Sequence, residues 1–173
     1  MANTVLEIKL NTKDLTEAIK QIEKYEKDMI DKINLFRKKL AEELQADAQA
    51  LFDSSVMDNL ITGVYKKPNV TVEIENNDNV SVVFTNDEDA IWVEFGAGVY
   101  YNGSIGKSPH PKGAEFGYTI GSYGKGFGKG NAWGYMENGE LKITRGTLAS
   151  MPMYNAVKSI ISKAEKIARE VWK

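Results

Sequence analysis

Four stretches of the chain hold residue types that could do chemistry, and their spacing limits what that chemistry could be. Gly106-Lys107-Ser108 looks like the end of a phosphate-cradling loop, in which backbone amides turn inward and the lysine and serine open a helix. Such a loop needs another glycine five residues before Gly106, where Tyr101 stands, and Pro109-His110-Pro111 leaves no helix to begin. Lys107 therefore reads as part of a basic surface loop. Gly124-Lys-Gly-Phe-Gly-Lys-Gly130 has no register with glycines at the first, third and sixth positions of a dinucleotide fingerprint. It reads instead as a flexible, positively charged ribbon, in which Lys125 and Lys129 could touch nucleic-acid phosphates while Phe127 stacks on a base. His110 is the only histidine, so a Ser-His-Asp arrangement would have to centre on it; between two prolines, a structural or solvated role is favoured. The acidic run Asp87-Glu88-Asp89 is the one candidate metal cluster, and it lacks the spacing and glycine of a calcium loop. The expectation is a protein that is not an enzyme, with no cofactor and no metal.

Composition sets wider bounds. The chain has 173 residues, enough for a single domain with a real core, and its 42% hydrophobic and 27% charged residues are typical of globular chains. A net charge of −2 gives no global reason to expect nucleic acid or an acidic membrane as partner. Without cysteine there is no disulfide framework, thiolate nucleophile or Cys-type zinc site. MANTVLEIKL lacks the basic and apolar regions of a signal peptide, and no run approaches 18 apolar residues. These features predict a protein kept in the cytoplasm or carried inside an assembly built there.

The elements that must position these residues follow from periodicity. Leu6, Ile8 and Leu10 alternate with polar residues and predict a strand over 1–10. Asp14 and Glu17 have capping-box spacing, and Leu15, Ala18, Ile19, Ile22, Tyr25, Met29, Ile33, Phe36, Leu40, Leu44, Ala48 and Leu51 keep one helical stripe. This predicts a helix over 13–53. At about 57 Å it either breaks or projects beyond its own domain. A sheet is predicted over 68–98: Val70–Glu75 and Val80–Phe84 alternate about an Asn76–Asn79 turn, and Ala90–Phe95 reads as a third strand. Residues 99–146 read as a glycine-rich loop, since 14 of the 15 glycines lie between Gly96 and Gly146. Within it, Trp133–Met136 and Leu141–Thr144 predict a ribbon about Asn138-Gly139, and the rest is expected to settle only against something else. Residues 150–173 predict a closing amphipathic helix with Ser150 as cap and Pro152 in its first turn. The fold class expected is α+β: a small antiparallel sheet packed by a long N-terminal helix and a C-terminal helix, with a long loop insertion.

Two short motifs flank the glycine-rich segment: Trp92-Val-Glu-Phe-Gly-Ala-Gly98, and Gly146-Thr-Leu-Ala-Ser-Met-Pro-Met-Tyr-Asn-Ala156. With the N-terminal strand and helix, they resemble the small tail-completion or tail-terminator-like virion proteins that act at the head–tail junction of tailed bacteriophages. That family has a "v-E-F-G-T-G" element ending a strand and an "a-x-P-F-x-x-x-A" element opening the last helix. Ala97 stands here in place of the threonine, and Met153 in place of the phenylalanine. Taken singly, the motif residues read as holders of the fold: Gly96 and Gly98 release the chain from a strand, Trp92 and Phe95 add apolar bulk, and Pro152 sets the entry of the last helix.

The resemblance implies a homo-oligomeric ring, six copies being the expected number, between the tail tube protein and the head–tail connector proteins, with DNA passing through the lumen and no membrane contact. It implies residence in the virion neck or tail after assembly in the bacterial host cytoplasm. Trp92, Glu94, Phe95, Gly96, Gly98, Pro152 and Met153 become candidate interaction residues, joined by Lys107, Lys112, Lys125, Phe127 and Lys129 of the loop. An acidic region 54–95 (net −6) and a basic region 96–173 (net +6) could meet between neighbours and steer assembly. Loop 103–130 is expected to be loose in the free subunit and to order on docking. The alternatives are a DNA-contacting module using the basic loop, a head-side completion or minor capsid protein, and a hydrolase around His110.

Overall fold

A computed structural model of the chain describes residues 12–59, 64–96, 100–101, 104–105, 108–118, 133–144 and 146–173. The predicted first strand, 1–10, lies outside them. Helix α1, Thr12–Ser54, runs unbroken for 43 residues with no glycine or proline inside it, and Asp14 in its first turn suits the helix dipole. At 1.5 Å per residue it is about 65 Å long. Its C-terminal half makes the core: Ala41, Ala48 and Phe52 are buried.

Helix α3, Pro152–Val171, packs antiparallel against that half. Trp172 meets Phe36 edge-on at 5.4 Å, Lys39 pairs with Glu170 at 3.6 Å, and Lys163 reaches both Asp47 oxygens at 2.8 Å. Ala48 and Ala156, both fully buried, let the two backbones approach where large side chains would hold them apart. The long helix therefore does not break: residues 12–35 run past the end of α3.

Among the described residues the strands form four two-stranded antiparallel ribbons: β1 (Met57–Asn59) with β2 (Val64–Lys66), β3 (Glu73–Asn76) with β4 (Ser81–Phe84), β5 (Tyr100–Tyr101) with β6 (Ser104–Ile105), and β7 (Trp133–Glu137) with β8 (Glu140–Thr144). The β3–β4 turn is where the asparagine run predicts it: the Asn77 side-chain oxygen accepts from the Val80 amide at 2.8 Å, and the Asn77 amide donates to the Val80 carbonyl at 2.9 Å. The β7–β8 turn is Asn138-Gly139 with φ of 53° and 80°, the left-handed pair a two-residue hairpin requires. With helices packed on small antiparallel ribbons, the fold is α+β.

The predicted third strand, Ala90–Phe95, is instead helix α2, Glu88–Phe95. Six apolar-rich residues fit either period, and here the tertiary context selects the helix. Glu88 and Asp89 sit in its first turn, while Ala90 and Val93, three apart, face the core together. Gly96 ends it at φ 77°, its amide donating to the Trp92 carbonyl at 2.8 Å. The acidic run before it acts as a backbone clamp: Asp87 accepts from the Thr71 amide at 2.7 Å and Asp89 from the Asn69 amide at 3.1 Å.

On the opposite side of that segment, Gln49 accepts from the Val72 amide at 2.8 Å and donates to the Val70 carbonyl at 2.9 Å, while Gln45 donates to the Val72 carbonyl at 2.7 Å. Two glutamines one turn apart thus give the extended residues 70–72 the partners that a neighbouring strand would supply. Val70 and Val72 then join Ala48, Phe52, Ala90, Val93 and Ala156 in the core.

The ion pair between the helices carries a pH dependence. The hydrogen bond from Lys163, followed by that from Ser159, holds the Asp47 carboxyl below its ordinary range; the Asp47 bond, followed by that of Glu43, raises the Lys163 ammonium above its own. A depressed carboxyl stabilises the fold above its unfolded value and loses that contribution as pH falls through the folded one. A raised ammonium contributes below its unfolded value and loses it as pH rises through the folded one. Lys163→Met is therefore expected to lower the melting temperature slightly near neutral pH, with the difference from wild type shrinking toward both the acid and the alkaline limb.

Candidate functional site

The two motifs meet at one carboxylate. Glu94, near the C-terminal end of α2, is buried and lies against the N-terminus of α3. Its Oε2 accepts from the Met153 amide at 2.8 Å and its Oε1 from the Tyr154 amide at 3.0 Å. These are two of the donors that a helix start leaves without intrahelical partners. Helix α3 has no acidic residue in its first turn and no side-chain cap of its own, so Glu94 supplies both the acceptor and the negative charge the helix dipole favours. Ser150 is not the cap: Met151 holds that position, and the Ser150 amide donates to the Val93 carbonyl at 2.8 Å.

Met151 adopts φ 56° and ψ 49°, a left-handed conformation that costs a non-glycine residue about 1–2 kcal/mol. The bond from the Ser150 amide to Val93 on one side and the Glu94 clamp on the other hold it there. Pro152, fully buried, starts the helix at N1, where its missing amide hydrogen leaves nothing unsatisfied.

His110 completes the carboxylate's shell. Its Nδ1 accepts from the Lys112 amide at 3.0 Å, which places the ring proton on Nε2, 3.1 Å from Glu94 Oε1. The ring is buried, tilted over Phe95 with centroids 4.5 Å apart and edge-on to Tyr154 at 5.3 Å. Phe95 in turn stacks flat on Tyr118 at 4.1 Å. Ser108, the serine of the Gly-Lys-Ser run, donates its hydroxyl to the Phe95 carbonyl and accepts from the His110 amide at 3.2 Å. Both imidazole nitrogens are thus occupied by Glu94 and the Lys112 amide, and neither partner is the Ser108 hydroxyl. A serine–histidine proton relay is not what this arrangement builds.

Residues 108–118, part of the segment expected to be loose, are in fact a compact set of turns. Gly113 donates to the His110 carbonyl at 2.8 Å and accepts from the Tyr118 amide at 2.8 Å. A Cβ on Gly113 would lie 2.7 Å from Ser108 Cβ and 3.1 Å from the His110 carbonyl oxygen. Ser108 cannot yield easily, because its hydroxyl is tied to Phe95. Gly113→Ala is expected to loosen these turns by about 1–3 kcal/mol without unfolding the helices. Amide exchange at Tyr118 should rise about tenfold or more; unchanged exchange would contradict the close approach.

Of the other residues singled out by sequence, Trp92, Phe95 and Met153 are half-buried beside this junction and Gly96 is buried. Gly98, Lys107, Lys125, Phe127 and Lys129 lie outside the described residues, as does most of the predicted basic ribbon. Lys112 is exposed, and it serves the junction through its backbone amide. Sequence reasoning missed His110 and Ser108 as parts of the Glu94 junction, and it missed Gln45 and Gln49. Only the glutamines left a trace, in their spacing of four on one helix. Among the described residues no group of three or more His, Asp or Glu could hold a metal ion, and no helix is long and apolar enough to cross a membrane. The chain matches no protein-family model, and comparisons with curated proteins and with solved structures return no match.

Proposed function

We propose that the protein is a structural component of a tailed-bacteriophage particle, working without catalysis as a ring that completes or terminates the tail and joins it to the head. The observation that supports this most is the meeting of the two motifs that carry the resemblance: Glu94 of the first caps the helix opened by Pro152 and Met153 of the second. The motif residues thereby have a structural task, which leaves recognition to surfaces. The opposite net charges of residues 54–95 and 96–173 would orient neighbouring copies as a heterologous interface closes.

Native mass spectrometry and negative-stain images of the purified protein, alone and mixed with tail tubes, test this. Closed rings of identical copies that seat on tube ends are the expected result. A non-associating molecule that turns over a small compound would refute it. Steeply salt-dependent DNA binding without ring formation would favour the basic-loop alternative.

A further inference from the structure

Among the described residues, the projecting half of α1 carries a long run of exposed apolar side chains. Leu15, Ile19, Ile22, Met29, Ile33 and Phe36 recur in steps of three, four or seven, the spacing of a coiled-coil seam, with Glu26 as its one polar position. Ile19 is 56% exposed, Ile22 53% and Ile33 52%, values of solvated side chains rather than a packed seam. Since Trp172 at the end of α3 already lies against Phe36, residues 12–35 extend about 36 Å beyond α3; the small Ala18 is buried there, while the large side chains of the stripe stay solvated.

A second seam lies on α3. Its inner face, with Ala156, Ile167 and Val171 buried, is spent on α1. Its outer face carries Val157, Ile161, Ala164 and Ala168, again in steps of four and three, and Ile161 is 70% exposed. The two seams suit each other: large knobs on α1 face a helix whose alanines leave room for them. The net charges are opposite in sign, with six acidic and five basic residues in 12–35 against four basic and two acidic in α3. Lys158, exposed on the flank of that face, could reach Glu26, whereas two projecting halves paired in parallel register would set Glu26 against Glu26. Within one chain the seams cannot meet, because one begins where the other's helix ends.

We propose that the projecting half of α1 in one copy packs along the outer face of α3 in the next, a heterologous contact that repeats around the ring; it rests on the ring reading above. Each copy then offers one seam and receives another, which is what closure of a ring from identical subunits needs.

The double variant Ile19→Asp/Ile22→Asp removes one seam and Ile161→Asp the other, all at exposed positions, so far-UV circular dichroism should match wild type, as should melting at concentrations where wild type is dissociated. Each variant alone is expected to run as a monomer, with association weakened at least tenfold. Mixed in equal amounts they should form dimers and nothing larger, since only one junction can be made. Assembly by Ile161→Asp alone would overturn the proposal in favour of paired projecting helices. Rings of normal size from both variants would overturn it while leaving the ring reading intact, and a monomeric wild type would overturn both. Because the chain has no cysteine, Ile22→Cys and Ile161→Cys give an independent check: a bis-maleimide should link the two variants to each other, and self-linking of either alone would count against the contact.

Discussion

Glu94→Ala is expected to destabilise the protein by about 2–4 kcal/mol, because it leaves several buried donors without an acceptor at once. The loss has three parts. The Met153 and Tyr154 amides would lose their acceptor at the start of α3, the His110 Nε2 hydrogen would lose its partner, and the left-handed Met151 would lose one of the two clamps that hold it. Unmade buried hydrogen bonds cost about 1–3 kcal/mol each, and the sum is capped because the site can relax and admit water. Glu94→Gln keeps one acceptor oxygen but no charge, so a smaller loss of about 1–2 kcal/mol is expected. Chemical denaturation of both variants checks the order. A cycle with His110→Ala should be non-additive, since once the carboxylate is gone the imidazole has lost what it was oriented toward. Equal stability of wild type and Glu94→Ala would mean that α3 is capped some other way.

Why this junction was hidden in the sequence follows from how far apart its parts are. Glu94 lies 59 residues before Met153 and 16 before His110, and no local period connects them. Patterns legible in one dimension are those whose partners lie within a turn or a hairpin. The α1 stripe, the α3 stripe, the Asn76–Asn79 turn and the Asn138-Gly139 turn are of that kind, and each is found at or within two residues of its expected place. The α2 segment fails for a related reason. Ile91, Trp92, Val93 and Phe95 have strand-forming side chains, and only the burial of Ala90 and Val93 together against Phe52 and Val72 makes the helical period the better one. The acidic run before it is similarly ambiguous until Thr71 and Asn69 are seen to need acceptors. Glu94, Pro152 and Met153 of the two motifs meet at this junction, while the strand end expected of the first motif is here the end of a helix.

The same separation of local from distant contacts gives the two ends of α1 opposite sensitivities. Phe52→Ala is expected to cost about 3–5 kcal/mol, a large part of the 5–15 kcal/mol that holds an ordinary domain together. Phe52 is 1% exposed, and among the described residues it is the largest of the fully buried side chains; the buried residues around it are alanines and valines. The buried alanines and valines can do little to fill the space a phenyl ring leaves, and only the partly buried Leu44, Leu51, Met57 and Met153 at the edge of the cluster have rotamers with which to relax toward it. The lost contacts also join four parts of the fold at once, namely α1, the extended residues 70–72, α2 and the first turn of α3. The melting temperature should fall by roughly 10 °C for a chain of this length. Phe116→Ala, at a ring that is 56% exposed, should change it far less. A charge at Ile22, on the same helix about 45 Å away, should leave the melting temperature of the dissociated protein where it was. If Phe52→Ala and Ile22→Asp proved equally destabilising, the projecting half of α1 would have to be held by the rest of its own chain, and its apolar seam would no longer be open to a neighbour.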